Sequence, residues 1–176
     1  MYNRLFILVE GNDDERFFER IIKPEFQKIY DHVQLYKYAS QSSKKIENFV
    51  NVINSMNADY IVAADINHSP CVTQKKGTLI SKKIRNVEKD KLIVVIKEIE
   101  SWYMAGLEEK SKEKIGIKHG ESSTNDLSKE YFNRLMPKKY ISRIEFMQEI
   151  LKYFKKKTAV KNNKSFAYFL EKYGLA

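Results

Sequence analysis

The sequence predicts an α/β fold with a mainly parallel four-stranded sheet flanked by helices, followed by a helical C-terminal extension. Two observations carry that reading. Three short apolar runs lack the alternation of a half-exposed strand and so suit strands buried on both faces, and a fourth segment, Val33–Tyr38, also reads as a strand. Between them lie segments whose apolar residues recur at helical spacing, and strands alternating with helices build βαβ units with right-handed crossovers. The composition agrees: 43% hydrophobic and 31% charged residues, with only 6 Gly and 3 Pro, exclude a linker or a disordered chain.

The first run, Leu5–Val9, is closed by Glu10-Gly11. Asn12 or Asp13 can then cap a helix whose first turn is acidic and whose Phe17, Phe18, Ile21 and Ile22 share one stripe. Val33–Tyr38 reads as the second strand and gives way to Ser40-Gln41-Ser42-Ser43. An amphipathic helix over Lys44–Met56 follows, with Ile46, Phe49, Val50 and Ile53 inward. Tyr60–Ala64 is the third strand and ends at Asp65. Thr78–Val87 carries Leu79, Ile80, Ile84 and Val87 at helical spacing. The fourth strand lies within Lys91–Ile96 and ends at Lys97-Glu98, and Trp102 to Leu107 continue as a helix.

Residues 108–125 are polar and weakly periodic, with Gly116, Gly120 and Ser122 to Asn125 marking loop. Helices are expected over Asp126–Leu135, Ser142–Phe154 and Ser165–Tyr173. The organisation expected is therefore an α/β core over 1–107 and a helical extension over 108–176 packed on the same domain.

Lys and Arg number 32 against 23 Asp and Glu, a net charge of +9. Such an excess favours an anionic partner, nucleic acid being the commonest, while a lysine-rich solvated surface is the alternative. Cys71 is the only cysteine, so no internal disulfide forms, which fits a reducing compartment. The apolar run near the N-terminus is too short for a signal peptide or a bilayer span, so a cytoplasmic protein with no membrane partner is expected.

Ligands in an open α/β sheet bind beyond the carboxyl ends of the strands. Three of the four predicted strands end on a carboxylate: Glu10, Asp65 and Glu98. Like charges brought to one point need a cation, and an all-oxygen set suits Mg²⁺ or Mn²⁺, which bind substrate phosphates while keeping several waters. Any one of these acids, and Asp13, Asp14 or Glu15 more so, could instead be a helix cap. Three at one sheet edge are not required by capping. Whether Glu98 or Glu100 faces such a site depends on where the strand ends, because the two diverge by about 200° once a helix has begun. His68 is expected to be solvated and Cys71 to be a small core or loop residue; His32 and His119 belong to no constellation. Lys44 and Lys45, at a helix start beside the same sheet edge, could hold a phosphate or simply border a capping loop. Lys155, Lys156 and Lys157, in a lysine-rich segment interleaved with aromatics, could track a nucleic-acid backbone or form a solvated helix face.

The segment VEGNDDERFF resembles the first TOPRIM motif, with Glu10 as the motif glutamate and Asp14 in the place of the second acid of OLD-type TOPRIM nucleases. AADIN resembles the second motif, strand then Asp-x-Asp, with Asp65 first and Asn67 in the position of the second aspartate. The KEIESWYMA segment, with Glu98, Glu100 and Trp102, and the terminal SFAYFL resemble an uncharacterised TOPRIM-like family encoded beside bacterial defence genes. The resemblance covers residues 4–107 most closely. It implies a TOPRIM-like, Rossmann-like core and metal-dependent phosphodiester chemistry on nucleic acid. Glu10 would be a metal ligand or general base and Asp65 and Asn67 metal ligands; Asp14 and Glu98, with Glu100 as the alternative to Glu98, would serve a second metal or its surroundings. A partner protein from a defence operon is a further implication. Asn67 offers a neutral carbonyl oxygen where the motif has a carboxylate, and this leaves a non-catalytic nucleic-acid or protein-binding module as the competing expectation.

Overall fold

In a computed structural model, which describes residues 2–118 and 123–175, the four expected strands are present: β1 (Arg4–Val9), β2 (His32–Lys37), β3 (Asp59–Asp65) and β4 (Leu92–Val95). They form one all-parallel sheet in the order β2-β1-β3-β4. His119, Gly120 and Ser122 lie outside the described residues. As the lack of alternation predicts, both faces of β1 are covered: Leu5, Ile7, Leu8 and Val9 are at most 1% exposed. The chain leaves β1 for β2 on one side and returns to β3 on the other, so the carboxyl ends of β1 and β3 flank a topological switch point. The pairing Leu8↔Val62, carried forward two residues, sets Glu10 beside Ala64, one residue short of Asp65.

The expected first helix is interrupted. α1 (Asn12–Phe17) passes into a π-helical turn, Phe18–Ile22, before α2 (Lys23–Phe26). Pro24 supplies the reason, since it has no amide hydrogen and its ring crowds the carbonyl four residues back. The ladder widens to five residues, Lys23 N–H reaching Phe18 O. Phe17 and Phe18 are adjacent in sequence, yet both are fully buried.

α3 (Ser43–Ser55) is capped by Ser42, whose Oγ accepts from Lys45 N at 3.3 Å. Its Ile46, Val50 and Ile53 enter one core cluster with Phe6, Leu8, Tyr60, Val62 and Tyr38. α4 departs from expectation, running Val72–Lys82 rather than from Thr78 to Val87. Ile84 and Val87 are buried in the same cluster, but from the irregular segment after the helix. Their spacing imitates a helical stripe. The true first turns are polar and carry no apolar signal, which hid the early start.

Contacts divide the chain into two compact units, Met1–Val94 and Val95–Ala176. The second is helical: α5 (Ile99–Ala105), α6 (Glu109–Ile115), α7 (Lys129–Leu135), α8 (Arg143–Lys152), α9 (Lys156–Asn162) and α10 (Lys164–Lys172). Its core centres on Trp102, with the Phe166 and Phe169 rings 5.1 and 5.4 Å away and the indole N–H donating to Ser165 Oγ at 2.8 Å. α6 occupies part of the stretch expected to be loop. Its sequence EKSKEKI shows almost no stripe, although Gly116, at φ +89°, ends it as a left-handed cap should. Among the described residues no helix is long and apolar enough to cross a membrane.

Candidate functional site

Glu10 follows the last residue of β1 and Asp65 is the last of β3. Asp14 sits one turn into α1, where Gly11 is the N-cap and its N–H donates to Asp14 Oδ2 at 3.1 Å. Asp14 therefore does cap its helix, but with one oxygen; the other, Oδ1, is fully buried, as is Oδ1 of Asp65. Asp13 and Glu15 turn elsewhere, to Arg16 at 2.7 Å and Lys37 at 2.9 Å.

Tyr38, just beyond β2, reaches from its own strand end to that of β1. Its hydroxyl lies 3.1 Å from Ala63 O and 3.3 Å from Glu10 Oε1. Burial pushes the phenol well above its ordinary value of 10.0, and the charges of Glu10, Asp14 and Asp65 push it further in the same direction. Of the three carboxylates, Glu10 is the one in hydrogen-bond reach of this buried hydroxyl. The phenol stays protonated, as a donor toward Glu10 and the β3 backbone.

Lys75 completes the arrangement. It lies in α4, only 8% exposed, with Nζ 3.8 Å from Glu10 Oε1. A buried ammonium needs an anion, and buried carboxylates need a cation, so each lowers the desolvation cost of the other. Among the described residues, no three His, Cys, Asp or Glu side chains already stand close enough to hold a metal ion. The donor set is nonetheless all oxygen, as a hard divalent cation requires. Metal loading would need these side chains to draw together.

Asn67 adopts φ +50°, in the left-handed region that asparagine tolerates better than most residues. It is exposed, and its Nδ2 donates to Asp65 O at 3.4 Å. The backbone conformation therefore gives a local reason for asparagine there. His68 and Cys71 are both exposed or nearly so.

In the second unit, Glu98 and Glu100 have partners of their own. Glu98, the N-cap of α5, accepts from Lys129 N at 2.6 Å through Oε2. Glu100, 2% exposed, forms an ion pair with Arg143, which also donates to Asn133 Oδ1 at 2.9 Å. Burial raises the Glu100 carboxyl above its ordinary value, and Arg143 opposes that rise.

The lysines divide similarly. Lys44 and Lys45 are exposed in the first turn of α3. Lys155 pairs with Glu108 at 2.8 Å, Lys156 donates to Leu175 O at 2.8 Å, and Lys157 is exposed.

Tyr38 and Lys75 are the two site residues that the sequence pattern missed. Tyr38 ends the strand neighbouring Glu10's, so parallel pairing already placed it at the right edge. Lys75 became visible only once α4 was found to start at Val72.

No family model matches the chain, and no curated protein matches it in sequence. Among solved structures, its fold is similar to that of the C-terminal region of the Burkholderia pseudomallei OLD protein. The TM-score is 0.51 and the identity 15%, with 100% of each chain covered. At that identity the likeness bears on the fold.

Proposed function

We propose that this chain is a divalent-metal-dependent nuclease, or a related phosphodiester-processing enzyme acting on nucleic acid. The observation that carries the reading is that Glu10, Asp14 and Asp65 lie at the carboxyl ends of β1 and β3 and the start of α1, beside the switch point of a parallel sheet. The resemblance of VEGNDDERFF and AADIN to OLD-type TOPRIM motifs and the fold likeness to an OLD C-terminal region support it independently.

The three carboxylates would hold Mg²⁺ or Mn²⁺, with the Asn67 side-chain oxygen as a neutral fourth donor. When bound, the cation would stabilise charge developing on phosphodiester oxygens. The protein's own contribution is orientation. Tyr38 fixes one oxygen of Glu10, and the Gly11 N–H fixes one oxygen of Asp14. Exposed Lys44 and Lys45 at the start of α3 would take backbone phosphates of the nucleic acid. Glu98 and Glu100, engaged with Lys129 and Arg143, are given no ligand role.

The test is to incubate the purified chain with plasmid, single-stranded DNA and tRNA in Mg²⁺ or Mn²⁺. Cleavage that needs the metal and is lost in Glu10→Ala and Asp65→Asn is expected. Cleavage that survives in Glu10→Ala would dispose of this site.

A second reading has its own support. Lys75 supplies a cation to the cluster, and Asn67 removes one carboxylate from the motif it resembles. Both fit a TOPRIM-like module that binds nucleic acid or a partner protein without cleaving it. Nucleic-acid binding without cleavage in any metal would select it.

A further inference from the structure

We infer that the first unit carries a metal-independent binding strip for a nucleic-acid backbone. Lys44 and Lys45 of α3 form it together with Lys82, Lys83 and Arg85, at and just after the end of α4. The inference rests on the nucleic-acid part of the proposed function and needs none of its metal chemistry.

Three observations lead to it. The first is composition. Residues 39–45 and 81–86 hold these five cations and no Asp or Glu. Over residues 1–94, Lys and Arg outnumber Asp and Glu by 15 to 12, so the strip holds more than the unit's whole surplus.

The second is placement. Ser43 Oγ donates to Lys82 O at 3.4 Å, Lys83 Nζ to Ala39 O at 2.8 Å, and Asn86 Nδ2 to Asn51 Oδ1 at 2.9 Å. These contacts, none of them to an acid, hold the end of α4 and the turn after it against α3 and the loop before it. Two basic segments far apart in sequence therefore lie side by side. Lys83 Nζ also stands 5.8 Å from the centre of the Tyr38 ring, whose hydroxyl reaches Glu10. The strip thus borders the carboxyl end of β1.

The third is that the charge is uncommitted. Lys44, Lys45, Lys82 and Arg85 are exposed, and among the described residues none of them is in an ion pair. Elsewhere in the same unit Arg16, Lys23, Lys28 and Lys37 are each paired with an acid at 2.6–2.9 Å. Like charges held together repel, and a polyanion relieves that repulsion while releasing its own condensed counter-ions. Cations of this kind meet phosphates without reading bases. Neither segment holds a Phe, Tyr or Trp on which bases could stack. The partner is therefore a nucleic-acid backbone taken irrespective of sequence, duplex included.

The experiment is fluorescence anisotropy of a short labelled duplex of mixed sequence with the full chain, in EDTA and across a salt series. Lys44→Gln with Lys45→Gln, and Lys82→Gln with Arg85→Gln, are the strip variants. Lys23→Gln with Lys28→Gln is the control, and circular dichroism confirms that each is folded. Each strip pair should weaken binding roughly tenfold near 0.1 M salt. It should also lower the slope of log affinity against log salt by about 2, close to 1 for each cation removed. The control should stay within about twofold of wild type at unchanged slope. A wild type that does not bind, or strip variants that bind as it does, overturns the inference. Equal displacement of the duplex by poly-glutamate overturns nucleic acid as the partner. Metal-dependent cleavage alongside unaffected binding by the strip variants overturns the strip and leaves the nuclease reading standing. Strip-dependent binding with no cleavage in any metal supports the strip and removes that reading. If a pair does not fold, its two single substitutions take its place, each expected to lower the slope by about 1.

Discussion

Replacing Tyr38 by phenylalanine removes one buried oxygen and leaves the ring in its place. That oxygen is 3.3 Å from Glu10 Oε1 and 3.1 Å from Ala63 O, and its single hydrogen can serve one acceptor at a time. A hydrogen bond of this kind contributes about 0.5–1.5 kcal/mol to a neutral acceptor and about 1.5–3 kcal/mol to a charged one. The longer approach to Glu10 places the expected loss at roughly 1–2 kcal/mol. No cavity term is added, because the ring keeps its place in the buried core cluster. With a urea slope of about 2 kcal/mol per molar, the midpoint should fall by about 0.5–1 M at unchanged slope. Far-UV circular dichroism in urea measures this. A second readout is absorbance of tyrosinate during alkaline titration. The folded protein holds the Tyr38 proton more tightly than the unfolded chain, so this contribution is fully present below pH 10.0 and disappears as pH rises toward the raised value. Tyr38→Phe should therefore lose less stability than wild type over that alkaline range. A midpoint shift under about 0.2 M, with the same alkaline sensitivity as wild type, would refute the contact between this hydroxyl and Glu10.

Three further outcomes are expected. Gly106→Ala would place a Cβ 2.3–2.7 Å from three ring atoms of Phe154, and such overpacking should cost about 1–3 kcal/mol, read by the fluorescence of Trp102, the only tryptophan. Glu100, with its pKa raised by burial, contributes stability that is fully present below its ordinary value of 4.5 and is lost as pH rises through the raised value. Glu100→Gln should accordingly flatten the stability profile just above pH 4.5, measured by thermal melts at stepped pH. Asn67→Asp returns a carboxylate to the exposed position after Asp65 and is expected to tighten Mn²⁺ binding several-fold by calorimetry.

Much of the sheet was legible because buried parallel strands are written as unbroken apolar runs, LFILV, YIVAA and LIVV. The acids that close those runs are legible for the same reason, which places Glu10 and Asp65 at strand ends from sequence alone. Asp14 was ambiguous in sequence and is dual in structure, one oxygen capping and the other buried. What stayed hidden was set by long-range partners. Lys129 lies 31 residues from Glu98 and Arg143 lies 43 from Glu100, and no local pattern announces either pairing. Lys75 was hidden by a helix start with little apolar signal, and α6 by the absence of a stripe, since it buries Ser111 and Lys112 beside Ile115 rather than a full apolar face.

The central claim is that Glu10, Asp14 and Asp65 form one divalent-cation site, and anomalous diffraction from a crystal soaked in Mn²⁺ tests it most directly. The account predicts a manganese peak bounded by these three carboxylates. A well-ordered site with no peak there would contradict it.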